Sequence, residues 1–219
     1  DDRIDAVYIP LPNALHANYI IEAVRNKKHV LVEKPIALFS SEMNAIEQIL
    51  HPSNSIVLEA FMYQHHEQHA QVKKWLREEK IGGIKHLKAH FSWQIEDEND
   101  IRLNKQLGGG ALFDVGCYCM HAFTTIFNFK PKQISYIQTE ANDVDLTGIC
   151  TMIDSKQVTA TFVCSMNMPF YDMYEAIGDN GSIRVEHSFR PDFAPNGEGI
   201  VTLFGPKREI IEKITFKDD

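Results

Sequence analysis

The chain has 219 residues, with 22 Lys+Arg against 30 Asp+Glu, a formal net charge of −8. A surface that neutralises phosphates carries a basic excess or a basic stripe; neither is present, which excludes a nucleic-acid partner and favours a small-molecule one. Apolar residues make up 44% and charged residues 24%, the balance of a globular protein with a sizeable core. No run approaches the about 18 to 20 apolar residues of a membrane helix, and Asp1-Asp2-Arg3 opens without a signal peptide's apolar segment, so no membrane contact is expected. Four irregularly spaced cysteines, Cys117, Cys119, Cys150 and Cys164, make no disulfide framework and fit a reducing cytoplasm.

The first third alternates short β-rich runs with helical patterns, the signature of crossover units and a parallel sheet. Ile4 to Ile9 reads as a strand broken by Pro10-Leu11-Pro12, after which Asn13 is expected to cap a helix carrying Leu15, Tyr19, Ile20, Ala23 and Val24. Val30-Leu31-Val32 is the next strand and runs into Glu33-Lys34-Pro35. Ser40 or Ser41 is expected to cap a second helix with Met43, Ile46, Ile49 and Leu50 on one side, and Ile56 to Ala60 forms a third strand. After residue 62 the pattern changes. A helix with Val72, Trp75 and Leu76 leads through Gly82-Gly83 to a strand in which Leu87, Ala89, Phe91 and Trp93 alternate with polar residues. Gly108-Gly109-Gly110 then precedes a helix to about Phe127, followed by strand-like runs at 133–139, 144–152, 157–166, 173–177, 182–186, 200–204 and 209–216. Asp154-Ser155-Lys156 and Asp179-Asn180-Gly181 read as hairpin turns, so this part is expected to be a mostly antiparallel sheet with helices on one face. Its other face, assigned to alternating Val158, Ala160, Phe162 and Cys164, is expected to be an apolar partner surface that makes homodimers or larger assemblies.

Ligands of an open parallel sheet sit at the carboxyl ends of its strands, where Glu33-Lys34-Pro35 lies. A lysine there is either an exposed surface cation or a proton donor and acceptor whose pKa burial or a neighbouring positive charge lowers. Asp114, Tyr118 and His121 are spaced i, i+4 and i+7 and would share one helix face. An acid, a phenol and an imidazole so aligned could orient a substrate and relay its proton; the plain alternative is an Asp cap with a half-buried Tyr. His65, His66 and His69, and the Cys117/His121 pair, lack the four-ligand spacing of a structural zinc site, so no metal is expected. Neither a G-x-S-x-G elbow nor a Walker phosphate loop occurs.

Tyr8-Ile9-Pro10-Leu11-Pro12-Asn13 with His16, then Lys28-His29-Val30-Leu31-Val32-Glu33-Lys34-Pro35, resembles the glucose-fructose oxidoreductase/inositol dehydrogenase (Gfo/Idh/MocA) family. Glu59-Ala60-Phe61-Met62-Tyr63, Asp100-Ile101-Arg102-Leu103 and Gly108 to Tyr118 continue the likeness in order and spacing. Tyrosine four residues after Asp114 resembles the dihydrodiol dehydrogenase-like branch. The likeness is strongest from about residue 4 to 130 and weaker, though consistent, thereafter.

The resemblance implies an α/β protein: a partial Rossmann parallel sheet over residues 1–62, then an α+β substrate-binding and oligomerisation domain over 63–219 with a large open, mostly antiparallel sheet. It implies an NAD- or NADP-dependent oxidoreductase that moves a hydride to or from a hydroxyl or carbonyl carbon of a sugar, cyclitol or diol. A non-catalytic NAD(P)- or sugar-binding regulator and an NAD-dependent glycosidase are the alternatives. Lys34, Tyr118 and Asp114 take the catalytic positions: lysine for the proton, tyrosine as its partner, aspartate for the substrate. Pro10, Leu11, Pro12, Asn13, His16, Glu33, Lys34, Pro35 and Arg102 take the cofactor positions. The sequence departs from the family at Gln64 and Glu67, where arginine and proline are usual. None of its twelve glycines forms the G-x-G-x-x-[GA] loop that cradles pyrophosphate, so the resemblance implies an internal fragment of a longer enzyme, silent and weak in dinucleotide binding by itself.

Overall fold

In a computed structural model, residues 1–194 and 196–217 are described. The first layer is a parallel sheet of β1 (Ala6–Ile9), β2 (His29–Val32) and β3 (Val57–Glu59), with helices α1 (His16–Arg25) and α2 (Ser40–Leu50) between them. Period-two alternation sends Ile9, Val30 and Val32 toward the helices, where they bury Ala17, Ile20, Val24 and Ile46 in one core. The opposite row, Tyr8, Leu31 and Leu58, is in register across all three strands and exposed.

Both expected caps are corrected. Asn13 opens a short 3-10 turn, Asn13–Leu15, and its side chain reaches across the molecule to donate to the Gly108 carbonyl at 2.9 Å. Ser40 is the first residue of α2, and the free N–H groups of Leu38 and Phe39 are met by Glu42 Oε2 at 2.9 and 3.2 Å. A carboxylate reaching back satisfies two donors at once, so it displaces a serine hydroxyl from that task.

Helix α3 (Glu67–Arg77) leads to the second layer, an eight-stranded sheet of β4 (Ile84–Gln94), β5 (Pro131–Ala141), β6 (Val144–Asp154), β7 (Thr159–Ser165), β8 (Asn167–Gly178), β9 (Gly181–Glu186), β10 (Glu198–Phe204) and β11 (Ile210–Lys217). Its order is β11-β10-β9-β8-β4-β7-β6-β5, with β4 and β7 parallel and the other neighbours antiparallel. Between β4 and β5 lie a π-helical turn, Leu112–Gly116, and helix α4 (Cys117–Thr125), which with α3 covers one sheet face.

The face assignment of β7 is also corrected. Ala160, Phe162 and Cys164 lie under α4 in the core, at most 2% exposed, and Val158 packs against the same cluster. The open face carries the other set, Thr159, Thr161, Val163 and Ser165; the apolar alternation marks the helix-covered side. Among the described residues no helix is long and apolar enough to cross a membrane.

Candidate active site

The loop after β2 carries Glu33-Lys34-Pro35 off the carboxyl end of the parallel sheet, and the π-helical turn carries Asp114 to meet it. That turn is fixed at its start by Asp145 of β6, whose Oδ2 accepts from the Leu112 N–H at 2.7 Å and from the Tyr136 hydroxyl at 2.7 Å. Gly109 precedes it because a Cβ there would collide with the Arg102 carbonyl.

Lys34 Nζ donates to the Asp114 carbonyl at 2.6 Å and to Asp114 Oδ1 at 3.0 Å, and both side chains are largely buried. Arg102 Nε donates to the same Oδ1 at 3.1 Å while its Nη1 pairs with Asp100. The Trp93 indole N–H takes Asp114 Oδ2 at 2.9 Å. Burial raises the Asp114 pKa, but Lys34 and Arg102 beside it outweigh burial and hold the carboxyl below its ordinary value. Burial likewise lowers Lys34, and the Asp114 charge overrides it, so the ammonium form is favoured. Lys34 Nζ sits 4.9 Å over the Tyr118 ring. The Tyr118 hydroxyl points away, donating to Met62 Sδ at 3.4 Å, and burial pushes its pKa up to about 12.

Two adjoining cavities share Lys34 and Arg102. One, about 280 Å3, is lined by Lys34, Arg102, Asp114 and Tyr118 together with Phe91, Trp93, Phe170, Arg190 and Phe193. The other, about 190 Å3, is lined by Pro10, Leu11, Asn13, Glu33, Lys34 and Arg102 with Ile101, Leu107 and Gly108. Gly108 is where the two layers touch: its φ is +79°, and a Cβ would stand 2.7 Å from Leu38 Cδ1 and 2.9 Å from Asn13 Cβ. Glu33 accepts from the Tyr8 hydroxyl at 2.7 Å. His16 is fully buried below the second cavity, its Nδ1 2.8 Å from the Pro35 carbonyl and its Nε2 2.7 Å from the Leu11 carbonyl, so it staples the two loops that form the rim.

Lys34, Asp114, Tyr118 and Arg102 are therefore brought together, and His121 is not. The π-helical turn shifts the phase of the helix that follows, and the His121 ring stacks on Phe61 at 4.0 Å, with Nδ1 2.8 Å from the Tyr63 hydroxyl. Burial, with Lys73 nearby, lowers its pKa to about 4. His69 is likewise buried against the Tyr174 hydroxyl, at 2.7 Å. Sequence reasoning missed Phe91, Trp93, Phe170, Arg190 and Phe193 as lining residues. Trp93 was legible only as a strand position, and the 187–193 loop carries no local motif.

The Gfo/Idh/MocA C-terminal domain pattern matches residues 69–184, and that of the oxidoreductase family NAD-binding Rossmann fold matches residues 1–61. This chain belongs to the Gfo/Idh/MocA family. Among relatives, a dTDP-3,4-didehydro-2,6-dideoxy-alpha-D-glucose 3-reductase of Actinomadura kijaniata is 32% identical over 192 residues, covering 87% of this chain and 58% of the relative. A D-xylose 1-dehydrogenase (NADP(+)) of Haloferax volcanii is 30% identical over 217 residues, 94% of this chain and 66% of the relative. The crystal structure of KijD10, a 3-ketoreductase from Actinomadura kijaniata in complex with NADP and TDP-benzene, superposes with a TM-score of 0.86 at 29% identity, over 99% of this chain and 66% of that one. This Gfo/Idh/MocA chain thus spans about three-fifths of the length of the first of these relatives.

Proposed function

We propose that the full-length protein is an NAD(P)-dependent oxidoreductase acting on a hydroxyl or carbonyl carbon of a sugar, cyclitol or diol. In this reading residues 1–62 are the C-terminal part of the nucleotide-binding domain and 63–219 the substrate domain. The observation that carries it is the placement of Lys34 Nζ, held by Asp114 at the junction of two cavities. The 190 Å3 cavity at the strand ends, with apolar Pro10 and Leu11 walls and the Asn13 amide, fits a nicotinamide-sized ring. The bound nicotinamide would supply or accept the hydride.

Every other role falls to the chain. Lys34 in its ammonium form donates the proton to a substrate carbonyl oxygen on reduction and is left as the neutral amine; in the oxidation direction that neutral amine takes the proton from the hydroxyl. Asp114 orients that ammonium, and Arg102 and Trp93 fix Asp114 in turn. The Tyr118 ring supports the lysine, and its hydroxyl donates to the Met62 thioether sulfur. Similarity to enzymes of sugar-nucleotide reduction and of xylose oxidation supports this class. The test is turnover of a sugar and diol panel by the full-length protein, followed by NAD(P)H absorbance. Turnover that survives Lys34→Met near its normal rate would remove Lys34 from the mechanism.

The protein also forms homodimers or larger assemblies through the open sheet face in this reading. The supporting row is Ile137, Ile149 and Val163 on β5, β6 and β7, followed by His90 on β4 and Met173 on β8, with Ile137 72% exposed. Ile149→Lys should convert the assembly to monomers in light scattering.

A further inference from the structure

The 187–193 loop leans over the 280 Å3 cavity, and it is held by a device unrelated to the sheet ladder. Asp172 of β8, buried at 5% exposure, accepts from the Ser188 hydroxyl at 2.7 Å, from the Phe189 N–H at 2.9 and 3.0 Å to its two oxygens, and from the Arg190 N–H at 2.7 Å. A carboxylate spent wholly on one loop fixes where that loop's next side chain begins. That side chain is Arg190, which lines the cavity together with Lys34 and Asp114.

The guanidinium is oriented before any ligand arrives. Its Nε and Nη2 bond the two oxygens of Asp192 at 2.8 and 2.7 Å, and its Cζ lies 4.1 Å from the Phe193 ring centre. Phe193 stacks in turn on Phe170 at 5.1 Å. Nη1 has no hydrogen-bond partner among the described residues. The cation balance of the cavity singles this residue out. Lys34 and Arg102 share the buried Asp114, with Asp100 also pairing with Arg102, whereas among the described residues Arg190 pairs with Asp192, a carboxylate two residues away whose side chain is 43% exposed. An exposed ion pair of that kind is weak and exchangeable. In a chain of net charge −8, three cations and one carboxylate line this cavity.

We propose that Arg190 is a specificity-determining residue of this site, which takes an anionic group, a carboxylate or a phosphate, on the substrate end remote from the reacting carbon. The planar fork matches the geometry of either anion, and the Phe170–Phe193 platform packs the apolar face of the ring that bears it. Asp172 is a positioning residue that sets the loop. The inference rests on the proposed reading of the cavity as the substrate site.

The test is a fluorescence titration of the full-length protein. Trp93 lines the cavity and Trp75 is buried in the core, so the signal used is the ligand-dependent change that Trp93→Phe abolishes. The probes are a neutral hexose, the corresponding hexuronate and the hexose 1-phosphate; the last two distinguish the carboxylate from the phosphate. At least one anion should bind tenfold or more tightly than the hexose. Arg190→Gln should bring that ratio to within about twofold, Arg190→Lys should restore part of it, and Asp192→Asn, which frees the guanidinium, should raise it. Equal binding of all three ligands, or a preference that survives Arg190→Gln, overturns the assignment. If the protein turns over neutral sugars without any anion preference, Arg190 falls while the oxidoreductase reading stands; if no ligand perturbs Trp93 and no sugar or diol is turned over, both fall.

Discussion

Both sheets cover one face with helices and leave the other bare, and the bare faces differ in kind. Across the small parallel sheet the bare row is Tyr8, Leu31 and Leu58, wholly apolar in body. The bare face of the large sheet is mixed: one complete row reads Ser135, Thr151, Thr161, Lys88, Glu175, Arg184, Thr202 and Lys213, polar from edge to edge, and beside it at the β5 end lie Ile137, Ile149 and Val163. Parallel sheets are apolar on both sides because crossover helices cover both, whereas an antiparallel sheet can turn one side to water. The site's central ion pair joins these unlike layers. Lys34 rides on the small sheet with seven buried apolar residues beneath it, and Asp114 on the large one, whose core includes Trp75, Phe123, Phe162 and Tyr174.

Core truncations should break the comparison most forcefully. Trp75→Ala empties a fully packed position in the large core and should cost about 3–5 kcal/mol, whereas Ile20→Ala in the thinner layer should cost about 2–3 kcal/mol because its surroundings can collapse. Denaturant midpoints of the two variants give the order, and equal losses would mean that the layers share one core.

Next in size is the pair that joins them. Lys34→Met should lower kcat by at least about 10²-fold, the usual yield of acid–base catalysis. Tyr118→Phe should cost clearly less, since the ring that supports Lys34 is kept and only a bond to Met62 Sδ is lost. A larger effect from the tyrosine would move the proton to its hydroxyl.

Much of this was legible beforehand. Alternation in Leu87, Ala89 and Phe91 marks the buried face of β4, and apolar strands running into Glu33-Lys34-Pro35 mark the strand end where Lys34 sits. What failed had physical causes. Alternation in β7 shows that one side is apolar but not which side the helices take, and the π-helical turn and α4 cover Ala160, Phe162 and Cys164. The i, i+4, i+7 spacing of Asp114, Tyr118 and His121 presumes 3.6 residues per turn, which Leu112–Gly116 does not keep. Arg190 reaches the cavity through a clamp from Asp172, eighteen residues earlier, a tertiary relation with no local trace.

The two layers should also respond differently to pH. Asp114 has a lowered folded pKa, so the stability it contributes is present above the unfolded carboxyl value of about 3.9 and is lost as pH falls through the folded one. Lys34 is raised, so its contribution is full below about pH 10.4 and is lost as pH rises through the folded value. Lys34→Met should therefore flatten the alkaline limb. Within the large layer, burial first and His66 second lower His69 to about 3, while burial and Lys73 lower His121 to about 4. Histidines kept neutral withdraw stability as pH falls below about 6.5. Denaturant midpoints between pH 6.5 and 4 should decline, and His121→Gln should reduce the slope; an unchanged slope would place the acid sensitivity elsewhere.

The smallest effect should come from the tie between the layers that is neither ionic nor apolar. Asn13 Nδ2 donates to the Gly108 carbonyl at 2.9 Å, a bond spanning 95 residues of sequence at a point where Gly108 leaves no room for a Cβ. Asn13→Ala removes the donor and strands a partly buried carbonyl, at a cost of about 1 kcal/mol. That loss alone would not distinguish a tie between layers from an ordinary surface bond. Combining it with Lys34→Met does, because both residues connect the small layer to the loop and turn at 108–114. If the two contacts hold one junction, the double variant should lose less or more than the sum of the single losses by at least about 0.5 kcal/mol. Strict additivity in denaturant midpoints would show that each layer holds its own loop and that the junction is not a mechanical unit.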